Sequence, residues 1–182
     1  MRNLIRNIIK EVLANNKGVA LIAGGFKPPT KGHYELVLGA ANHPDVSEVK
    51  VFIGNAVRDG ITAETSKAIW DSYPLPDNVS VDISPTPSPI KSIYDYLKSH
   101  TNEKIYFVGG VRDEEDAIDL KKRTQSAINK YSNVEVLAIP GKPTVSGTKA
   151  RRALLDNNKE LFFTYLPDEA DKEQVWTLIT QQ

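Results

Sequence analysis

The chain has no cysteine and a single methionine among its 182 residues. Without thiols there can be no disulfide, no thiolate zinc site and no cysteine nucleophile. An excess of charge is missing too, since 23 Lys and Arg balance 23 Asp and Glu. Proteins drawn to DNA or to anionic membranes over long range normally carry a basic excess, so neither partner is expected. No apolar run nears the roughly 20 residues needed to cross a bilayer. Arg2, Arg6, Lys10 and Glu11 interrupt the first apolar positions, which is unlike a secretory signal. A cytoplasmic protein is expected. With three histidines and no cysteine, no protein-built transition-metal site is expected either.

What is present has the balance of an ordinary globular protein, 40% hydrophobic and 25% charged. The length suits one α/β domain rather than two. Leu4, Ile5, Ile8, Ile9, Val12 and Leu13 share one face at helical spacing, and Asn15, Asn16 and Gly18 end the pattern. Residues 1–17 therefore read as an amphipathic helical extension and 18–182 as the domain. The apolar face of the extension suits packing on its own domain, contact in a homo-oligomer or docking to another protein.

Beyond it, short branched runs alternate with helical patterns. Val19–Ala23, Val49–Ile53, Val79–Ile83, Lys104–Val108 and Val134–Ile139 read as strands. Residues 32–42, 63–73, 90–100 and 114–131 read as helices. Strands separated by helices imply a Rossmann-like, doubly wound α/β domain with a five-stranded parallel sheet. In such sheets ligands bind beyond the carboxyl ends of the strands, where the strand order reverses. Segments with chemistry should therefore follow strands directly.

Three segments do. The first strand runs into Gly24-Gly25-Phe26-Lys27-Pro28-Pro29-Thr30-Lys31-Gly32-His33, with a helix beginning near Gly32. Glycines there let backbone approach a ligand, and a new helix offers N–H groups and a positive dipole end to an anion. Thr30 and His33, three apart, can face one phosphate. Neither a P-loop nor a Gly-x-Gly-x-x-Gly fingerprint is present. The fifth strand leads to Val145-Ser146-Gly147-Thr148-Lys149-Ala150-Arg151-Arg152, where Ser and Thr suit a helix start and Arg151 lies one turn on. The fourth strand leads to Gly109-Gly110-Val111-Arg112-Asp113, with Asp116 shortly after.

The first segment resembles the Thr/His-x-Gly-His motif of the nucleotidylyltransferase superfamily with its preceding Gly-x-Phe-x-Pro. The second resembles that superfamily's Ile-Ser-Ser/Gly-Thr-x-x-Arg signature, and the third the Arg-Gly-Leu-Arg segment of phosphopantetheine adenylyltransferases. The Tyr165-Leu-Pro-Asp-Glu169 tail is similar to the Leu-Pro-Glu stretch before that family's last helix. By this resemblance Thr30, His33, Arg58, Arg112 and Arg151 are catalytic. Gly24, Gly25, Phe26, Lys27, Gly32, Gly109, Gly110, Val145, Ser146, Gly147 and Thr148 bind the nucleotide. Two positions depart from the family: Lys27 stands where Asp, Asn or Gln is usual, and Gly109 replaces an arginine. The resemblance further implies ATP, or CTP in a cytidylyltransferase, as donor, a phosphorylated small molecule as acceptor, and Mg2+ carried on the triphosphate. Pantetheine phosphate and nicotinamide or nicotinate mononucleotide are the acceptors it suggests. A nucleotide-binding module without turnover is the reading from another class.

Overall fold

The computed structural model describes residues 17–141 and 146–181. The helix expected in the first 14 residues, and Val145, lie outside them. The elements run β1 (Gly18–Gly24), α1 (Lys31–Ala41), β2 (Val46–Ile53), α2 (Ala63–Ser72), β3 (Val79–Ile83), α3 (Pro89–Ser99), β4 (Ile105–Val111), α4 (Glu114–Lys130), β5 (Val134–Pro140), α5 (Gly147–Leu155), α6 (Lys159–Phe163) and α7 (Lys172–Thr180). The strands form one parallel sheet in the order β3-β2-β1-β4-β5. This is the expected α/β class and strand count. No helix among the described residues is long and apolar enough to cross a membrane.

Both faces of the sheet are buried, and the period-two alternation of strand side chains divides the core. Ala20 and Ile22 of β1 join Tyr106 and Val108 of β4 on one face, under residues of α1, α2, α5, α6 and α7. Val19 and Leu21 join Ile105 and Phe107 on the other, under Ile93 and Leu97 of α3 and Ala127 of α4. Because β1 pairs with β2 on one side and β4 on the other, the winding reverses there. A crevice between the ends of β1 and β4 follows from that reversal.

Two strand boundaries depart from the sequence pattern by more than one residue, each for a local reason. β2 begins at Val46, whose buried side chain sits opposite Gly18 in the parallel ladder. Gly109 and Gly110, expected beyond the fourth strand, are inside β4, paired with Ala138 and Ile139 of β5. A Cβ at Gly109 would stand 2.4 Å from Leu120 Cδ1 of α4, so glycine there lets the helix lie close on the strand.

The smaller core rests on few large side chains, with Leu97 and Ile93 fully buried. Truncating Leu97 to Ala should destabilise the fold by about 2–5 kcal/mol, as large-to-small core changes do. Urea unfolding measures it, and a loss below about 1 kcal/mol would mean that this face is loosely packed.

Candidate nucleotide site

The loop from β1 to α1 has an unusual backbone. Phe26 adopts a positive φ of 48°, which side-chain-bearing residues rarely do without support. Its support comes from α2. The Ser66 hydroxyl donates to the Phe26 carbonyl at 2.5 Å, and the Tyr73 hydroxyl donates to that of Pro29 at 2.8 Å. Trp70 packs edge-on against the Phe26 ring, 5.7 Å between centroids. Burial at this contact pushes the Tyr73 phenol well above its usual range, so it stays a donor. Gly24 is required by the same turn, because a Cβ there would stand 2.6 Å from the Phe26 ring.

Lys27 is 4% exposed, and its ammonium donates to the carbonyls of Gly25 and Gly54. It ties the ends of β1 and β2 together and lines none of the cavities described below. Burial first, then the nearby Arg58 charge, hold its pKa below the ordinary lysine range.

Helix α1 starts at this loop with Thr30 as N-cap. The Thr30 N–H donates to His33 Nδ1 at 3.0 Å, and the Thr30 hydroxyl lies 3.1 Å from the same nitrogen. A ring nitrogen that accepts an N–H carries no proton, so the neutral ring holds its hydrogen on Nε2. Burial, helped by the Arg112 and Arg151 charges, brings the His33 pKa down to about 4. At pH 7 that leaves about one ring in a thousand protonated. His33 is thus a fixed neutral donor. Thr30 is itself buried, and its hydroxyl serves His33. The tail closes the other side of the helix start, where the Lys31 N–H donates to the Tyr165 carbonyl and its ammonium pairs with Asp168 at 2.6 Å.

A cavity of about 290 Å³ opens at this point. Thr30, Gly32, His33, Gly110, Arg112, Ser146 and Gly147 line it, together with Glu35, Leu36, Asp116, Arg123 and the end of β5 with Gly141 after it. The N-termini of α1 and α5 therefore meet on one space, and each brings the N–H groups and positive dipole end that favour an anion. A second cavity of about 200 Å³ adjoins it in the β1–β4 crevice. It shares His33, Leu36, Gly110, Asp116 and Arg123, and is walled by Gly24, Gly25, Phe26, Gly109 and the apolar Ile90, Phe107 and Leu120.

Arg112 lies on the wall of the first cavity with Asp116 as partner. Its Nε and Nη2 donate to the two carboxylate oxygens at 2.6 and 2.9 Å, and its backbone N–H adds a third bond at 3.0 Å. These bonds to Arg112 hold the Asp116 carboxyl below its usual range. Arg123, not singled out from the sequence, is similarly paired with Asp119 one turn earlier. Arg58 is exposed on a tight turn after β2 and lines neither cavity.

Arg151 lines neither of these cavities; with Asp59 it lines a third, of about 190 Å³, beside α7. It still stands at the edge of the first cavity. A Cβ placed on Gly147 would be 3.4 Å from Arg151 Nη1 and 3.9 Å from His33 Cε1, so the two side chains flank that glycine. Thr148 is beyond the cavities and accepts from Arg151 Nη2 at 3.2 Å. No group of three or more His, Cys, Asp or Glu residues able to hold a metal occurs among the described residues.

The sheet order defines the chain as a Rossmann-like α/β protein, and the site lies where its winding reverses. Solved structures with that fold align over most of the chain. Nicotinic acid mononucleotide adenylyltransferase from Plasmodium falciparum, complexed with NaAD, has a TM-score of 0.62 at 15% identity and covers 91% of this chain and 95% of its own. A bifunctional NMN adenylyltransferase/ADP ribose pyrophosphatase from Francisella tularensis aligns with a TM-score of 0.62 at 15% identity, over 87% of this chain and 48% of that one. The present chain thus spans about half of the Francisella protein. TmcAL from Thermotoga maritima, bound with alpha-thio ATP, has a TM-score of 0.63 at 10% identity, over 91% of this chain and 55% of its own. No family model matches the sequence, and neither does any curated protein.

The tautomer can be tested directly. In a nitrogen-resolved NMR titration, His33 should show the Nε2–H form and stay neutral through pH 6.5, protonating only near pH 4. Because the unfolded ring takes up its proton near 6.5, the stability contributed by the neutral ring is fully present above that pH. It is lost as pH falls from there towards 4. A ring titrating at 6.5, or protonated on Nδ1, would contradict the geometry.

Proposed function

We propose that the protein is an adenylyltransferase that moves AMP from ATP onto the phosphate of a small-molecule acceptor and releases pyrophosphate. The observation that carries the reading is the neutral His33, with Nε2–H as donor, on the same cavity as the N-termini of α1 and α5. The fold shared with NMN and nicotinic acid mononucleotide adenylyltransferases and with an ATP-analogue complex supports the donor nucleotide. It also favours a pyridine mononucleotide over pantetheine phosphate as the first acceptor to try.

In the reaction, an acceptor phosphate oxygen attacks the α-phosphorus of ATP in line. The bond from that phosphorus to the oxygen bridging to the β-phosphate breaks, and pyrophosphate leaves with the electron pair. The nucleophile is already an anion at neutral pH, so no base and no covalent intermediate are required. What the protein supplies is position and compensation for charge growing on the leaving oxygens. His33 donates from Nε2 without first losing a proton, Ser146 and Gly147 present the start of α5, Arg112 brings charge from the cavity wall and Arg151 from beside Gly147 at its edge. With Asp116 engaged by Arg112, a magnesium ion would ride on phosphate oxygens and water, neutralising the triphosphate. The crevice cavity with Ile90, Phe107 and Leu120 offers an apolar wall beside this centre.

Pyrophosphate release from ATP and from CTP, with each phosphorylated acceptor in turn, tests the reading. Release should require ATP and one acceptor, and His33→Ala should lower kcat by about 10²-fold, as loss of a preorganised donor does. ATP binding without turnover on any acceptor would instead favour a nucleotide-binding module.

A further inference from the structure

The turn after β2 holds a residue that the motifs do not contain. Arg58 and Ile61 pair as an isolated antiparallel bridge, their N–H groups exchanged at 3.1 and 3.0 Å. Between them Asp59 and Gly60 have positive φ values of 49° and 79°. That is the two-residue turn in which both central residues are left-handed, a conformation for which Asp-Gly is a preferred pair. The turn is fixed at its far end by Ile61, which is 1% exposed, and by the Thr62 cap of α2. Asp59 is therefore presented at the tip of an anchored turn.

Its carboxylate meets Arg151, 92 residues away, with Nε to Oδ2 at 2.6 Å. The arginine side chain is 14% exposed and the aspartate 45%, so the guanidinium is shielded from solvent on the protein side while the carboxylate reaches it from the turn. Two more bonds fix the guanidinium plane: Nη1 donates to the Lys27 carbonyl at 3.1 Å and Nη2 to the Thr148 hydroxyl at 3.2 Å. Three of the five N–H groups are thereby used. One hydrogen on each terminal nitrogen is left over by these bonds, and Nη1 lies 3.4 Å from where a Cβ on Gly147 would stand, with His33 Cε1 3.9 Å from the same point.

We infer that Asp59 is the positioning residue of Arg151, setting the direction in which that guanidinium meets the triphosphate. The inference rests on the transferase reading above for its kinetic arm only. A carboxylate on the far side of Arg151 from the proposed triphosphate would, by charge alone, weaken phosphate binding. Its presence is explained if the orientation it imposes contributes more than its repulsion costs. Charge and orientation thus predict opposite signs for its removal.

The test compares wild type, Asp59→Ala, Arg151→Ala and the double variant of the full chain, all checked for equal melting temperature. Two quantities are read: affinity for inorganic tripolyphosphate, and kcat for pyrophosphate release. Asp59→Ala should weaken tripolyphosphate binding by about fivefold and lower kcat by about tenfold, within the range of coupling between bonded neighbours. Neither value should fall further when Asp59→Ala is added to Arg151→Ala. Tighter tripolyphosphate binding in Asp59→Ala, or losses that multiply in the double variant, would overturn the inference. Should Asp59→Ala fail to fold, Asp59→Asn keeps the oxygen acceptor and must show the same signs with smaller losses. A wild type that binds tripolyphosphate but releases no pyrophosphate would count against the transferase reading alone, since the affinity comparison still decides the role of Asp59.

Discussion

The bond from the Thr30 N–H to His33 Nδ1 is the constraint on which the rest of the site depends. A histidine is useful to a phosphate in two ways, as a cation or as a neutral donor, and this bond selects the second. It removes Nδ1 from use, fixes the ring over the first turn of α1 and leaves Nε2–H as the free end. The same bond satisfies a backbone donor at a helix start that would otherwise need a partner. The loop that delivers Thr30 has a strained residue at Phe26. Ser66 and Trp70 on the buried face of α2 hold that residue, and Tyr73 at the helix end holds Pro29 beyond it.

Charge around the site is restrained rather than simply accumulated. Arg112 is matched to Asp116, Arg123 to Asp119 and Arg151 to Asp59. Bare cations packed together would repel, and they would push His33 still further from protonation. Pairing each with an acid offsets its charge and fixes the guanidinium planes before a ligand arrives. Preorganised donors then respond to developing charge without reorganising. The arrangement suits a reaction in which charge moves along a phosphate chain and no proton has to be transferred.

Much of this was legible in the sequence. Short branched runs alternating with helical periodicity gave all five strands and the helices between them, because a parallel sheet buried on both faces needs little else. The strand-to-helix glycine segments marked the cavity because backbone must come close there. Side-chain direction was not legible. Lys27 lies inside the motif, yet its ammonium turns to the Gly25 and Gly54 carbonyls, a preference set by where β2 ends. Gly109 and Gly110 read as loop because β-propensity counts against glycine, whereas pairing with β5 and the closeness of Leu120 decide their state. Asp59 and Arg123 were invisible for a simpler reason. Each matters through the element it faces, and for Asp59 that element lies 92 residues further along the chain.

The central claim is that a nucleotide triphosphate is gripped where the N-termini of α1 and α5 converge on His33. A crystal structure of the protein with a non-hydrolysable ATP analogue tests it most directly. The account predicts phosphate oxygens within hydrogen-bonding distance of His33 Nε2 and against the backbone of Ser146 and Gly147, with the base in the cavity bounded by Gly110 and Ile139–Gly141. A nucleotide seated elsewhere on the sheet, or one whose phosphates leave His33 Nε2 without a partner, would contradict it.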